Sequence, residues 1–258
     1  PGALILESAS DAGESNSDKI SNEDRVSITL TNILSGYIGI LYFIDDAGLT
    51  LVDSMLLAPS EESLTFLHNT NDTRIYQYTS VQVDTAGNRS GYGDTLSIEI
   101  DHTLPSAQIS FEGDSLVRAG DVSTIATFKF SEPMDNVNVP RVDINYPEVD
   151  FLLDLTSQSL TEGSSDSVWT FVIPLNSAGL DTIDGAIELT VNASDVAGNE
   201  ILADSITGLA SLIVDNTAAK FSSFSPSSNS YNNVLDNFGW TLDESIDTGY
   251  VTFNKISD

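Results

Sequence analysis

One six-residue turn is written twice in this chain, and it constrains the fold more than any other feature. Val83-Asp84-Thr85-Ala86-Gly87-Asn88 and Ser194-Asp195-Val196-Ala197-Gly198-Asn199 lie 111 residues apart. Each copy follows one run of alternating apolar and polar residues and precedes another. Each second run closes on an aspartate and a short polar linker. These read Ile98-Glu99-Ile100-Asp101-His102-Thr103-Leu104-Pro105 and Leu212-Ile213-Val214-Asp215-Asn216-Thr217-Ala218. Alternation with period two marks a half-buried strand, because successive side chains leave opposite faces. A strand, an acidic turn, a strand and a linker, repeated at this spacing, set the unit at the size of a whole β-sandwich and not of a solenoid repeat.

The rest of the chain fills in that unit. Ala3 to Leu6 reads as a first strand, followed by a long polar loop from Ser10 to Asp24 that is rich in turn formers. Val26, Ile28 and Leu30 alternate with polar residues, Tyr37 to Ile44 and Leu49 to Leu57 read as a hairpin, and Ser63 to Phe66 and Arg74 to Val83 add two more strands. The second unit repeats the plan with Ala107 to Phe111, the alternation of Ala126, Phe128 and Phe130, Val142 to Tyr146, Phe151 to Leu155, Val168 to Ile173 and Ile187 to Ala193. Leu96, Ile98 and Ile100 fall five, three and one residues before Asp101, and Ala210, Leu212 and Val214 do the same before Asp215. One phase does not match. Before Asp84 the apolar Val81 and Val83 lie on the opposite parity to Tyr76 and Tyr78, which a β-bulge would explain. A third unit opens near Ala219, with Phe221 and Phe224, alternates through Phe238, Trp240 and Leu242, and continues at Tyr250 to Phe253. The expected organisation is all-β, with immunoglobulin-like sandwiches over 1–103 and 104–217 and a partial one over 218–258. The last is expected to be cut short or to donate its strands to another sheet. No helix of ordinary length is expected.

Charge narrows the partners. Thirty-nine acidic residues stand against 9 Lys plus Arg, for a net charge of -30. Phosphate recognition needs clustered cations, so a nucleic-acid partner is excluded, and an anionic membrane surface is disfavoured for the same reason. No run approaches the ~20 apolar residues of a membrane span. The acidic excess suits either a solvated surface or divalent-cation binding by carboxylates, and both remain open. There is no cysteine. Pro1 is not an initiator Met and no leader opens the chain, so the sequence is expected to be an interior or processed piece.

The residues that carry the repeat also resemble a known family. Val83 to Asn88, Ser194 to Asn199 and the linkers Asp101 to Pro105 and Asp215 to Ala218 are similar to tandem bacterial immunoglobulin-like domains of large repetitive surface proteins and adhesins. Ser10 to Asn22 resembles the Asp-Gly-Ser-Asn-Asp segment that opens many such repeats. Phe128 to Asp135 resembles a variant that follows a strand with Ser-Glu-Pro, and Leu242 to Phe253 looks like its next copy. The resemblance implies an extracellular, non-catalytic protein with calcium at domain junctions. Ala219 stands where the second linker of that pattern has proline.

Sandwich topology says which acidic loops should meet. The AB loop and the exit of the last strand lie at one end of a unit, and the BC and FG loops lie at the other. The first junction should therefore gather Asp11, Asp18, Asp24 and Asp101 from unit one with Glu132, Asp135, Asp195 and Asn199 from unit two. The second should gather Asp114, Asp121, Asp215, Asp243 and Glu244. Asp84 and Asn88 should face the side of a preceding unit. A Ca²⁺ ion takes roughly 6–8 oxygen ligands, which such a set can supply. The competing reading of each Asp-x-x-Gly-Asn is a plain turn, in which Asp and Asn bond their own backbone. None of these segments is the twelve-residue EF-hand loop.

Other chemistry finds little support. His68 and His102 are the only histidines, expected in different loops, with no cysteine to complete a zinc site. There is no nucleophile elbow, phosphate loop or dinucleotide fingerprint. Asp45-Asp46 and Glu61-Glu62 could imitate a glycosidase pair but read as solvated turns. Asn71, Asn88 and Asn192 open glycosylation-type tripeptides, a pattern short enough to arise by chance. The reading that emerges is a non-catalytic, cell-surface or secreted repeat region that acts as a calcium-stiffened spacer. Its partners would be neighbouring units of the same chain, other copies in a filament, or a cell-surface or glycan ligand. A subunit of an extracellular fibre and an accessory module of a secreted polysaccharide-degrading enzyme remain as alternatives.

Overall fold

The computed structural model describes residues 2–113, 116–118, 120–146, 154–175, 184–208, 211–225 and 239–244. Their regular structure is almost entirely β, with two isolated 3-10 turns. The first sandwich is built from β1 (Leu4–Leu6), β2 (Ile20–Ser21), β3 (Arg25–Thr31), β4 (Ile38–Asp45), β5 (Gly48–Leu56), β6 (Ser63–Asn69), β7 (Arg74–Val83) and β8 (Leu96–Ile100). One sheet runs β1-β3-β6 and the other β2-β8-β7-β4-β5. Their inner faces are the alternating residues of the sequence. Val26, Ile28 and Leu30 from β3, Leu64 and Phe66 from β6, Tyr76 and Tyr78 from β7, and Ile98 and Ile100 from β8 pack into one core. Removing this apolar surface from water is the main force holding the sheets face to face.

The expected bulge in β7 is not there. β4 and β7 pair without a break from Ile38↔Val83 to Ile44↔Gln77. Tyr76 and Tyr78 face the core, and Val81 is buried without joining it. The chain after the turn folds back over that outer face. Ser90 N donates to Gln82 O (2.8 Å), Gly93 N to Ser80 O (2.9 Å), and the Thr79 hydroxyl to Gly93 O (2.9 Å). Tyr92 meets Tyr42 edge-on at 6.1 Å. Both faces of β7 are therefore covered from Thr79 to Gln82, while Ile75 and Gln77 stay exposed, and the two apolar parities reflect two burials. The register shift of this sheet lies instead between β4 and β5, at Leu41/Tyr42.

The second sandwich comprises β9 (Ala107–Phe111), β10 (Leu116–Val117), β11 (Ser123–Phe130), β12 (Arg141–Asn145), β13 (Leu155–Ser159), β14 (Thr161–Ser165), β15 (Val168–Pro174), β16 (Gly185–Asn192), β17 (Ile206–Gly208) and β18 (Ser211–Val214). Its sheets run β10-β18-β16-β12-β13 and β14-β15-β11-β9-β17. Phe128, Val142, Ile144, Ile173, Ile187 and Leu212 are fully buried in its core. The sequence reading missed β14 and β17, which are short, polar and exposed at most positions and so carry no alternation. In both sandwiches the first strand changes sheets. β2 pairs parallel with β8, and β10 with β18. β19 (Phe221–Ser225) and β20 (Gly239–Leu242) pair antiparallel, with Phe221 and Trp240 half-exposed. Asp114, Ala210, Phe238, Tyr250 to Phe253 and most of the strand expected at Phe151 to Leu155 lie outside the described residues.

His68 corrects another expectation, since it lies in β6 and not in a loop. Its ring sits 5.6 Å from those of Phe43 and Tyr78 and 6.0 Å from that of Tyr76. Its Nδ1 is 2.8 Å from the Tyr78 hydroxyl. The Arg74 guanidinium lies 4.7 Å above both Phe43 and Tyr76, a cation–π arrangement.

Two predictions follow from these cores. Phe128→Ala should cost about 3–5 kcal/mol, the usual loss for a buried aromatic truncated to alanine, and a loss under about 1 kcal/mol in denaturant unfolding would place Phe128 outside the core. The second concerns pH. Burial, and then the charge of Arg74, hold the His68 imidazole below its ordinary value of 6.5. A lowered imidazole value means that the unfolded chain takes the proton first. Its contribution is complete above the unfolded value and is lost as pH falls below it. Stability measured at about pH 7.5 and about pH 5.5 should therefore drop less in His68→Gln than in the parent, and an equal drop would clear His68 of the effect.

Candidate metal centre

The first linker is tied down on both sides. Asp101 N donates to Ser21 O (2.9 Å), and Asp101 Oδ1 accepts from Thr103 N (2.8 Å). His102 N donates to the Thr73 hydroxyl (2.9 Å), and His102 Nε2 lies 2.8 Å from Thr70 O. Beyond the exposed Thr103 and Leu104, Ser106 and Ser131 exchange two bonds. Ser131 N donates to Ser106 O (2.9 Å), and Ser106 N donates to Ser131 Oγ (3.0 Å). Ser131 stands directly before Glu132, so this exchange carries the β11–β12 loop to the linker.

The repeated turn supplies the next carboxylate. Asp195 Oδ1 accepts from Asn199 N and Oδ2 from Asn199 Nδ2, both at 2.9 Å. Asp195 N donates to Asn199 O (3.1 Å), closing the turn, and Gly198 takes φ 95°. Residues 84–88 have the same construction, with Asn88 N and Nδ2 each 2.8 Å from the Asp84 carboxylate. Asp135 closes a related turn, with Val137 N at 2.8 Å and Asn138 N at 2.7 Å from Oδ1. The plain-turn reading therefore holds for Asp84, Asp135 and Asp195. At Asp195 a second property is added by its neighbours.

Carboxylate oxygens of Asp101, Glu132 and Asp195 all lie within 4.8 Å of one another. Asp101 belongs to the first sandwich, and Glu132 and Asp195 belong to two loops of the second. With Ile20, Glu99 and Pro133 they line a cleft of about 190 Å³. Burial, and then the charges of Asp195 and Asp101, push the Glu132 carboxyl above its ordinary value. Burial likewise raises that of Asp195, against the hydrogen bonds from Asn199, and Asp101 adds to the rise. Three like charges at this range destabilise the junction unless a cation joins them. Among the described residues no Lys or Arg does so, and the one His–carboxylate approach, His102 Nε2 to Asp24 Oδ1 at 3.9 Å, lies apart from the three. The donors are all hard oxygens, and a carboxylate oxygen that accepts one hydrogen bond keeps a second lone pair, so the set fits Ca²⁺ better than a nitrogen- or sulfur-seeking metal.

The other expected ligands scatter. The loop expected as a single AB connection is split by β2, so Asp11 and Asp18 precede that strand and Asp24 follows it. Asp11 is buried and closes its own loop by accepting Lys19 N at 3.0 and 3.2 Å. Asp18 stands beside it and helps to raise its pKa, after burial. The Asp24 side chain is exposed, next to His102. Asn199 acts through nitrogen, bridging Asp195 Oδ2 and Asp101 O at 2.9 Å each. Asp84 and Asn88 belong to the other copy of the turn, whose tip is exposed.

Much of the linker geometry recurs at the second junction. Thr217 N donates to Asp215 Oδ1 (3.2 Å), as Thr103 does to Asp101. Asn216 N donates to Asp184 Oδ1 (2.6 Å), as His102 does to Thr73. Lys220 and Asp243 repeat the exchange of Ser106 and Ser131, at 2.7 and 3.1 Å. Glu244 thus matches Glu132, and its carboxyl is raised by desolvation, then by Asp215, Asp243 and Asp184. The sequence reading missed Asp184. Its position one residue before β16 is the only signal it gives. Asp121 turns back on its own loop, accepting Arg118 N at 3.1 Å.

No protein-family model matches the chain, and no curated protein does. Three solved structures similar to it are tandem modules. They are a tetra-tandem repeat in the extending region of a large adhesion protein (TM-score 0.34, 14% identity, 84% of this chain and 50% of that one), the Clostridium thermocellum CbhA fibronectin(III)-like modules (0.40, 16%, 80% and 93%), and the Ig1–Ig3 ectodomain of mouse nectin-like molecule 4 (0.32, 14%, 82% and 63%). The chain spans half the length of the adhesion-protein repeat. Its assignment to the immunoglobulin-like sandwiches rests on the strand order described above.

Proposed function

We propose that this chain is a non-catalytic spacer from an extracellular surface protein of the adhesin type. Its immunoglobulin-like units are joined at a junction that Ca²⁺ stiffens. The observation that carries the reading is the meeting of Asp101, Glu132 and Asp195, carboxylates drawn from both sandwiches, within 4.8 Å. Without a cation they repel across the junction. With Ca²⁺ bound, the same three groups hold the linker end of one sandwich to two loops of the next. A spacer needs this property, since its task is to hold a direction over distance. The equivalent placement of Asp215 and Glu244 extends the reading to the second junction.

Chelation should lower the melting temperature, because an ion that binds only the folded state stabilises it by mass action. Equal unfolding curves in excess calcium and in EDTA would remove the metal from the account. Glu132→Gln sharpens the test. Deleting one of three crowded charges should raise the melting temperature in EDTA and shrink the gain from calcium, whereas an equal fall in both conditions would mean that Glu132 serves only packing.

Shape is the functional readout. Small-angle scattering should give a larger and better-defined maximum dimension in calcium than in EDTA. Asp101→Ala combined with Asp195→Ala should abolish the difference while leaving both sandwiches folded. Identical wild-type profiles with and without calcium would return the acidic loops to the role of solvated surface.

A further inference from the structure

The two copies of the repeated turn have the same internal geometry and opposite surroundings. Asp84 N donates to Asn88 O at 3.0 Å and Asp195 N to Asn199 O at 3.1 Å. Gly87 has φ 89° and Gly198 has φ 95°. Yet Ala197 and Asn199 are buried, at 2% and 7% exposure, while Ala86 and Asn88 are exposed.

Loop 11–19 of the first sandwich makes that difference, together with the linker. Glu14 N donates to Val196 O at 3.0 Å. A side chain at Gly13 would place its Cβ 2.1 Å from Val196 O, and one at Gly198 would place its Cβ 3.1 Å from Gly13 Cα. The two glycines therefore let backbone rest on backbone. Asn199 Nδ2 reaches across to Asp101 O at 2.9 Å. In the other copy nothing lies within 4 Å of the corresponding Cβ position on Gly87, and among the described residues Asn88 Nδ2 bonds to Asp84 alone.

The loop is shaped by its own sandwich before any docking. Asp11 accepts Lys19 N, Ser10 Oγ accepts Ser27 N (2.9 Å), and Ser21 Oγ accepts Ala12 N (3.3 Å). The second sandwich has no such loop. Only residues 112–115 separate β9 from β10, where residues 7–19 separate β1 from β2.

We propose that the exposed turn Asp84–Asn88 is a docking surface, and that its partner is another immunoglobulin-like unit of the first sandwich's type, placed ahead of it in a tandem and presenting a loop like 11–19. The contacts are backbone and amide contacts, so this docking stands apart from any cation. The register already suits it. Thr31 N donates to Ala3 O, and Ser131 N to Ser106 O, both at 2.9 Å, so Ala3 and Ser106 are equivalent positions. Joining residues 1–103 directly ahead of Pro1 restores the five-residue step from Asp101 to that position.

The chain contains no cysteine, so single thiols can report the docking. In the full chain, Ala86→Cys should react with a thiol reagent at least about tenfold faster than Ala197→Cys, because reaction at the covered site awaits local opening. Gly13→Val should speed the reaction at 197. In the tandem carrying the extra copy of residues 1–103, Ala86→Cys in the inner copy should slow by about the same factor, in calcium and in EDTA alike. Gly13→Val in the outer copy should restore the rate, and amide exchange along the outer β3 checks that this copy is folded. The proposal fails if a folded outer copy leaves the rate at 86 unchanged, or if 86 and 197 react equally in the full chain. Protection at 86 that grows with the concentration of the unfused chain would assign the surface to contacts between chains and overturn the tandem arrangement.

Discussion

The hydrogen bonds between Asp195 and Asn199 are what the junction depends on. They fix a turn that would otherwise be a mobile loop, and three consequences follow from its shape. Gly198 is brought against Gly13, the Asn199 amide reaches the Asp101 carbonyl, and the Asp195 carboxylate is left facing Asp101 and Glu132. A carboxylate used in this way is already buried and already positioned, so little ordering would remain if a cation bound there. The chemistry of a plain turn and that of a metal ligand are therefore compatible here. In the proposed site the same aspartate would serve both.

Charge and cohesion are divided between different parts of the molecule. Cohesion comes from two separate apolar cores and their sheet ladders. The surface contributes little through salt bridges, since among the described residues no Lys or Arg pairs with a carboxylate. A chain with net charge -30 repels itself, and the repulsion is greatest where linker and loops bring carboxylates together. The two junctions meet this differently. The first pairs Thr73 and Ser131 with its linker, and the second puts Asp184 and Asp243 at the matching positions, which adds acidic groups to the same frame.

The long loop of the first sandwich sets the two units apart in a further respect. Its tip lies on the next unit through backbone contacts that no side chain could enter at Gly13. A cation supplies attraction with loose angular demands, whereas backbone contact at this range admits few orientations. Under the proposed function, stiffness and direction would be carried by different groups a few residues apart.

The sequence by itself determined the fold class, because a period of two can be buried only by a sheet. It also determined the repeat, because the six-residue turn and the linker aspartate keep their order and phase. It located Asp101, Glu132 and Asp195 among fifteen candidates by the ordinary rule for which loops share an end of a sandwich. It could not separate those three from Asp11, Asp24 or Asp135, since all are aspartates or glutamates in polar loops. The separation came from where each carboxylate ends up: oxygens of Asp101, Glu132 and Asp195 converge within 4.8 Å, while Asp11 closes its own loop on Lys19 and Asp24 lies exposed beside His102. Tertiary structure alone decided three further matters. It covered the outer face of β7 with the chain after Asn88, which removes the need for a bulge. It placed His68 among three rings. It buried one copy of the repeated turn and left the other open. In each case the cause is a packing contact between elements, at separations from Ser90 on Gln82 to Asn199 on Asp101, and the alternation within one strand holds no record of such a contact.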